Sequence, residues 1–266
     1  MKFKILATAV LLATISVSAY AGPDSKDMKM MAPEIRPSDA GFYVGIYGGA
    51  NFDQNYNTHT AFTPDSTTFP AFGNFKQGGS TNGGVGGVGG IKGGYNFESF
   101  SVDGDFGIQP AVEVEALYLG ALVKTKFNYN GTAAGTINAD GSSNAGAFMV
   151  NGIVRFKTGS IVTPYIGSGI GLQYTTISGT LTSGTNVDNG GANHYHQDAL
   201  AFAVQGLLGA DVEIAKHWDL FTEYKYLVAI DPQYSSVNFD GFGDTYTFHP
   251  DYQGQHLITA GIKYNF

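Results

Sequence analysis

There is no cysteine among the 266 residues. No disulfide can staple this chain, so an exported form must be held together by packing alone. Charge is scarce as well. Asp, Glu, Lys and Arg together make up 14% of the chain, against roughly a quarter in ordinary soluble domains. The charge present leans acidic, with 14 Lys plus Arg against 22 Asp plus Glu. That balance argues against a nucleic-acid partner, because binding a phosphate backbone takes a basic face. Long apolar runs are also missing. Beyond the first twenty-one residues, no stretch approaches the roughly 18 apolar residues that a membrane helix needs.

Glycine and aromatic residues are abundant instead. There are 38 glycines, and 14% of the residues are aromatic, almost all of them Tyr or Phe. The first segment reads as a signal peptide, residues 1–21. Lys2 and Lys4 precede the apolar run Ile5 to Val17, and Ala19-Tyr20-Ala21 supplies small residues for cleavage before Gly22. Residues 22–40 are polar and bear prolines, and are expected to form a flexible leader. Residues 41–266 are expected to form one domain, of a size that barrels often reach.

That domain alternates with a period of two. In the first strand, 41–51, Phe42, Val44 and Ile46 oppose Tyr43, Gly45, Tyr47 and Gly49. The second contains GGVGGVGGIKGG. It sets Val85, Ile91, Tyr95 and Phe97 against Val88, Lys92, Asn96 and Glu98. The third, about 110–123, opposes Val112, Val114, Ala116, Tyr118 and Leu122 to Glu113 and Glu115. Leu117 and Leu119 break its pattern. Five more follow, near 146–157, 163–176, 198–214, 218–229 and 255–266. Long polar segments, 52–83, 124–145, 177–197 and 230–254, alternate with short links near 158–162 and 215–217 and an intermediate one near 99–109. About eight such strands predict an all-β fold, a closed antiparallel transmembrane β-barrel with long outer loops and short periplasmic turns, set in an outer membrane.

PYIGSGIG at 164–171, AFAVQGLLGADVEIAKHWDLFTEYKYL at 201–227 and the closing GIKYNF resemble the opacity-like porin family of small outer-membrane surface barrels. The resemblance covers the first strand and the second half of the chain, and not the loops. It implies an eight-stranded barrel with both ends in the periplasm. It also implies that Ile262, Tyr264 and Phe266 form the terminal signal read by the barrel-assembly machinery of a Gram-negative cell. It fixes no ligand.

Gly84, Gly86 and Gly89 fall in the spacing G-x-G-x-x-G of a phosphate loop, but strand pattern follows where a helix is required. Glycine on a lumen face instead leaves room for large side chains opposite. The inward charges Lys92, Glu113, Glu115, Arg155, Asp211, Glu213, Glu223, Lys225 and Lys263 are expected to pair in a structural network, the alternative being a narrow ion path. Glu113 and Glu115 alone do not make an acid–base site, since no nucleophile–base set accompanies them. No cofactor and no catalytic residues are assigned. His194, His196 and Asp198, with His249, Asp251 and His256, form no complete metal-ligand set. Tyr43, Tyr47, Tyr95, Tyr118, Trp218, Tyr224, Tyr226 and Tyr264 fit interfacial girdles. Tyr56, Tyr195, Tyr234 and Tyr246 fall in the loops. The expected role is a surface protein, structural or adhesive through loops 52–83, 124–145, 177–197 and 230–254, with outer-membrane lipid around it. The alternatives are a narrow porin, a lipid-modifying enzyme and a soluble lipocalin-like barrel.

Overall fold

Period-two patterning becomes twelve strands in the computed structural model, which describes residues 40–63, 75–103, 106–129, 135–183, 194–236, 245–250 and 252–266. The expected signal segment and nearly all of the expected leader lie outside these residues. The strands are β1 (Gly41–Asp53), β2 (Tyr56–Thr63), β3 (Phe75–Asn82), β4 (Val85–Asn96), β5 (Phe100–Asp103), β6 (Phe106–Tyr129), β7 (Gly135–Lys157), β8 (Val162–Ser183), β9 (His194–Ala215), β10 (Trp218–Tyr234), β11 (Thr245–Pro250) and β12 (Tyr252–Asn265). Eight of them form an antiparallel ring in the order β1, β4, β6, β7, β8, β9, β10, β12. The ring closes where β12 returns to β1, in a register running from Tyr43↔Asn265 to Asp53↔Gln255. Phe266 also donates its backbone N–H to Phe42 O at 2.9 Å. Both described ends therefore sit at one rim, called here the near rim.

Alternation along each strand sorts side chains to two surfaces. Phe42, Val44 and Ile46 on β1, Val112 and Val114 on β6, Phe148 and Val150 on β7, and Ile166 and Ile170 on β8 are all exposed, although large and apolar. Such a continuous apolar exterior is a lipid-facing belt. At the near rim the belt ends in touching aromatic rings. Phe42 meets Tyr95 at 4.9 Å, and Tyr95 meets Phe97 at 5.3 Å. Trp218 meets Tyr264 at 4.9 Å, and Tyr264 meets Phe266 at 5.0 Å.

The near-rim link after β7 is short, with Gly159 at φ 68°, a left-handed turn conformation that glycine adopts without strain. The intermediate link is a small hairpin, β5 against the start of β6. The long connections at the far rim prove to be partly strand. β6, β7, β8 and β9 run 22 to 24 residues each, well past the belt. There β11 pairs with β2, β2 with β3, and β3 with the end of β6.

The glycine run has a mechanical use. A Cβ on Gly90 would lie 2.4 Å from Tyr47 Oη, and one on Gly94 would lie 2.5 Å from Tyr43 Cζ. These two positions clear space for rings that lie over β4 on the inner wall. Gly87, in the same stretch, faces outward with nothing within 4 Å. Gly90→Leu should therefore block folding, while Gly87→Ala should leave it intact. The fraction of refolded protein showing heat-modifiable gel migration reads this directly.

Candidate functional site

The lumen is the chemically richest part of the molecule, and it is filled in tiers. Nearest the near rim lies a charged tier. Arg155 Nε donates to Asp211 Oδ2 at 3.1 Å, and Lys263 Nζ donates to the same oxygen at 2.6 Å. Lys263 also lies 3.0 Å from Asp219 at the rim. The Arg155 guanidinium sits 5.0 Å and 5.2 Å from the rings of Tyr43 and Tyr165. Just above, Lys92 Nζ donates to Glu223 Oε1 at 2.5 Å and lies 3.6 Å from Glu113. Lys225 pairs with Glu115 and with Glu223, the latter at 3.1 Å. Tyr43 Oη donates to Glu113 at 2.9 Å, Tyr165 Oη to Glu223 at 2.8 Å, and Tyr47 Oη to Glu115. Asn151 Nδ2 reaches both Glu113 and Glu115, and Gln205 Nε2 bonds Glu115 at 2.9 Å and Asn151 at 2.6 Å.

Four acids (Glu113, Glu115, Asp211 and Glu223) and four bases (Lys92, Arg155, Lys225 and Lys263) are buried here, so the tier is formally neutral. That balance is what burial requires, since an unpaired charge in a low dielectric is expensive. An apolar tier follows. Leu117, Leu119, Ala147, Met149, Ala203, Leu227 and Leu257 pack with Val88 and Phe221. Leu117 and Leu119, which break the outward alternation of β6 in the sequence, are part of this stopper. A third tier of amides and hydroxyls, including Asn51, Gln173, Thr175, Gln197, Gln253 and Gln255, fills the far end.

Several expected positions fall elsewhere. Glu213 has the inward parity but is exposed at the near rim, beyond the network, and its N–H donates to Ile161 O at 2.9 Å. Tyr43 and Tyr47 are not girdle residues. They are 1% and 5% exposed and lie inside the barrel over the glycines of β4, reaching the glutamates of β6. Tyr56, Tyr195 and Tyr234, expected in loops, are likewise buried inward on strand extensions. Ile262, Tyr264 and Phe266 lie on the outward parity of the last strand, with Phe266 70% exposed.

His194, His196 and His256 occupy the outer wall. On β8 and β9, Ser178 bonds His196 Nδ1 at 2.8 Å and Thr180 bonds His194 Nδ1 at 3.1 Å. One row nearer the belt, Thr176 donates to Asp198 at 2.8 Å, and that bond holds the exposed carboxyl below the ordinary carboxylate range. His256 belongs to a separate outer cluster with Tyr224, Tyr226 and Gln54. The side chain of His249, the side chain of Tyr246 and all of Asp251 lie outside what is described. Among the described residues, no three His, Asp or Glu side chains are arranged to hold a metal ion.

Removing one partner of a buried pair costs about 3–5 kcal/mol, because the other charge is stranded. Lys225→Met should therefore lower stability by about that amount. Combining it with Glu115→Gln should recover much of the loss. Urea unfolding midpoints of the two variants against wild type measure this coupling.

No family model matches the chain, and no curated protein matches it. Solved structures show likeness in fold. Neisserial surface protein A (NspA) aligns at 16% identity over 85% of this chain and 99% of its own, with a TM-score of 0.38. The outer membrane protein OprG from Pseudomonas aeruginosa aligns at 16% identity over 85% and 96%, with a TM-score of 0.46. Ail, the attachment invasion locus protein of Yersinia pestis, aligns at 12% identity over 84% and 99%, with a TM-score of 0.29. At those scores they carry no functional weight, and what is firm comes from the chain itself: it is a membrane-spanning, eight-stranded antiparallel β-barrel with a filled interior.

Proposed function

We propose that this protein is a non-enzymatic surface barrel of a Gram-negative outer membrane, in the manner of the opacity-like porins its sequence resembles. In this reading it is exported by a cleaved signal and delivered by the barrel-assembly machinery, which reads Ile262, Tyr264 and Phe266. The near rim faces the periplasm. The segments 52–83, 124–145, 177–197 and 230–254 then project from the cell and carry a structural or adhesive role.

One observation carries the proposal. The charged, apolar and amide side chains that face the lumen are almost wholly buried among the described residues. Eight strands leave an interior just wide enough for side chains to fill. A barrel closed in this way acts through what it displays. The long β6–β7 and β8–β9 hairpins support this, because their antiparallel pairing continues past the belt as a rigid mount for the exposed segments.

Folded protein in planar bilayers is expected to give no conductance steps. Stable steps that Glu115→Gln alters would overturn the reading in favour of a narrow porin. Cells displaying the protein are expected to attach to matrix-coated surfaces, and replacing 124–145 and 177–197 with tight turns is expected to abolish attachment while heat-modifiable migration persists. Attachment unchanged by that replacement would remove the adhesive role.

A further inference from the structure

The far-rim wall carries a cleft that the lumen does not explain. It measures about 160 Å³ and is lined by Asn55, Tyr56, Asn57, Ser80 and Tyr252. Asn57 and Ser80 face each other across β2 and β3. Asn55, Asn57, Ser80 and Tyr252 are exposed, whereas Thr81, one residue on from Ser80, is buried toward the lumen. The cleft therefore opens on the outside of the barrel. Moving along the outward face of β12, Ile258 belongs to the apolar belt, His256 follows it, and Tyr252 lies two outward positions further.

We infer that this cleft holds the neutral sugar ring of a membrane-lipid headgroup. Among the described residues the lining contains no charged side chain, and the exposed Lys126, across from Ser80 on β6, stands outside it. A phosphate or carboxylate headgroup would call for Arg or Lys. Amides and hydroxyls both donate and accept, which is what a ring of sugar hydroxyls requires. Tyr252, 46% exposed, offers a flat apolar face to the C–H side of such a ring. The volume is well below the roughly 300–1,000 Å³ of a drug-sized pocket and is on the scale of one ring. The site opens above the belt and outside the wall, so its occupant comes from the headgroup layer.

The surroundings are held in place. Asn55 Oδ1 accepts the Gly83 N–H at 3.0 Å, which fixes that amide. Beside it, Gln54 bonds His256 Nε2 at 2.8 Å and accepts from Tyr226 Oη at 3.0 Å, while Tyr224 Oη bonds His256 Nδ1 at 2.6 Å. A Cβ on Gly254 would lie 2.6 Å from Gln54 Oε1, so glycine there gives the Gln54 side chain its place.

This inference rests on the outer-membrane reading above. The full chain is refolded into phosphatidylcholine vesicles with and without a neutral glycosyl diacylglycerol, and its unfolding midpoint is read from heat-modifiable migration. Ligand that binds only the folded state raises that midpoint. The glycolipid is expected to raise it by about 2–4 °C for wild type. Asn57→Ala and Tyr252→Ala, both at exposed positions, are expected to lose the rise while matching wild type in plain vesicles. No rise for wild type, or an equal rise in both variants, overturns the inference. An equal rise from free methyl glucoside in plain vesicles overturns the lipid source and leaves a soluble sugar. Failure to insert into either vesicle would overturn the membrane reading itself, and this inference with it.

Discussion

The seam between β1 and β12 is the constraint on which the rest depends. In hydrocarbon a free strand edge leaves a row of backbone N–H and C=O groups with no partner, and each costs several kcal/mol. Eleven consecutive residues of β1, from Tyr43 to Asp53, find partners on β12. With that seam made, no edge remains within the belt. The seam also fixes the circumference. Eight strands bring opposite walls close enough for side chains to meet, so the interior must be filled.

What fills it follows from the same narrowness. Tyr43 and Tyr47 start on β1 and end on the glutamates of β6, with glycines of β4 beneath them. Lysines from β4 and β10 and the arginine of β7 complete the pairing. Cations also rest on ring faces: Lys92 lies 3.7 Å from the Phe221 centroid and Lys225 lies 4.4 Å from that of Tyr47. These rings give the ammonium groups a partly polar surface where water is excluded. The charged tier is thus a tie between walls. The apolar tier beyond it seals the barrel without needing directional bonds.

Much of this was legible in the sequence because alternation is strong wherever one face meets lipid. Phe42, Val44 and Ile46 reveal their side of β1 at once, and so the inward parity of Glu113, Glu115, Lys225 and Arg155 follows. Alternation gives parity but not height. Glu213 shares the inward parity yet sits at the rim in water, and no period could separate it from Asp211. Tyr43 and Tyr47 misled because tyrosine suits both a girdle and a hydrogen-bonded interior. The extensions of β6 to β9 were invisible for another reason. Past the belt the outward face turns polar too, as in Thr176, Ser178 and Thr180 opposite Asp198, His196 and His194. There the period-two signal vanishes while the backbone pairing continues. The outer cleft draws on residues from β2, β3 and β12 that come together only in the closed sheet.

The pairing of Lys225 with Glu115 spans 110 positions along the chain, and that of Lys92 with Glu223 spans 131. Glu115 on β6 therefore has no cation from β10 until nearly all of the barrel strands exist. A growing sheet that entered the bilayer one hairpin at a time would carry bare charges into oil. The sequence separation makes insertion a late, collective event: the chain must curl and neutralise itself before it can be immersed, and topology of this kind is slow to form.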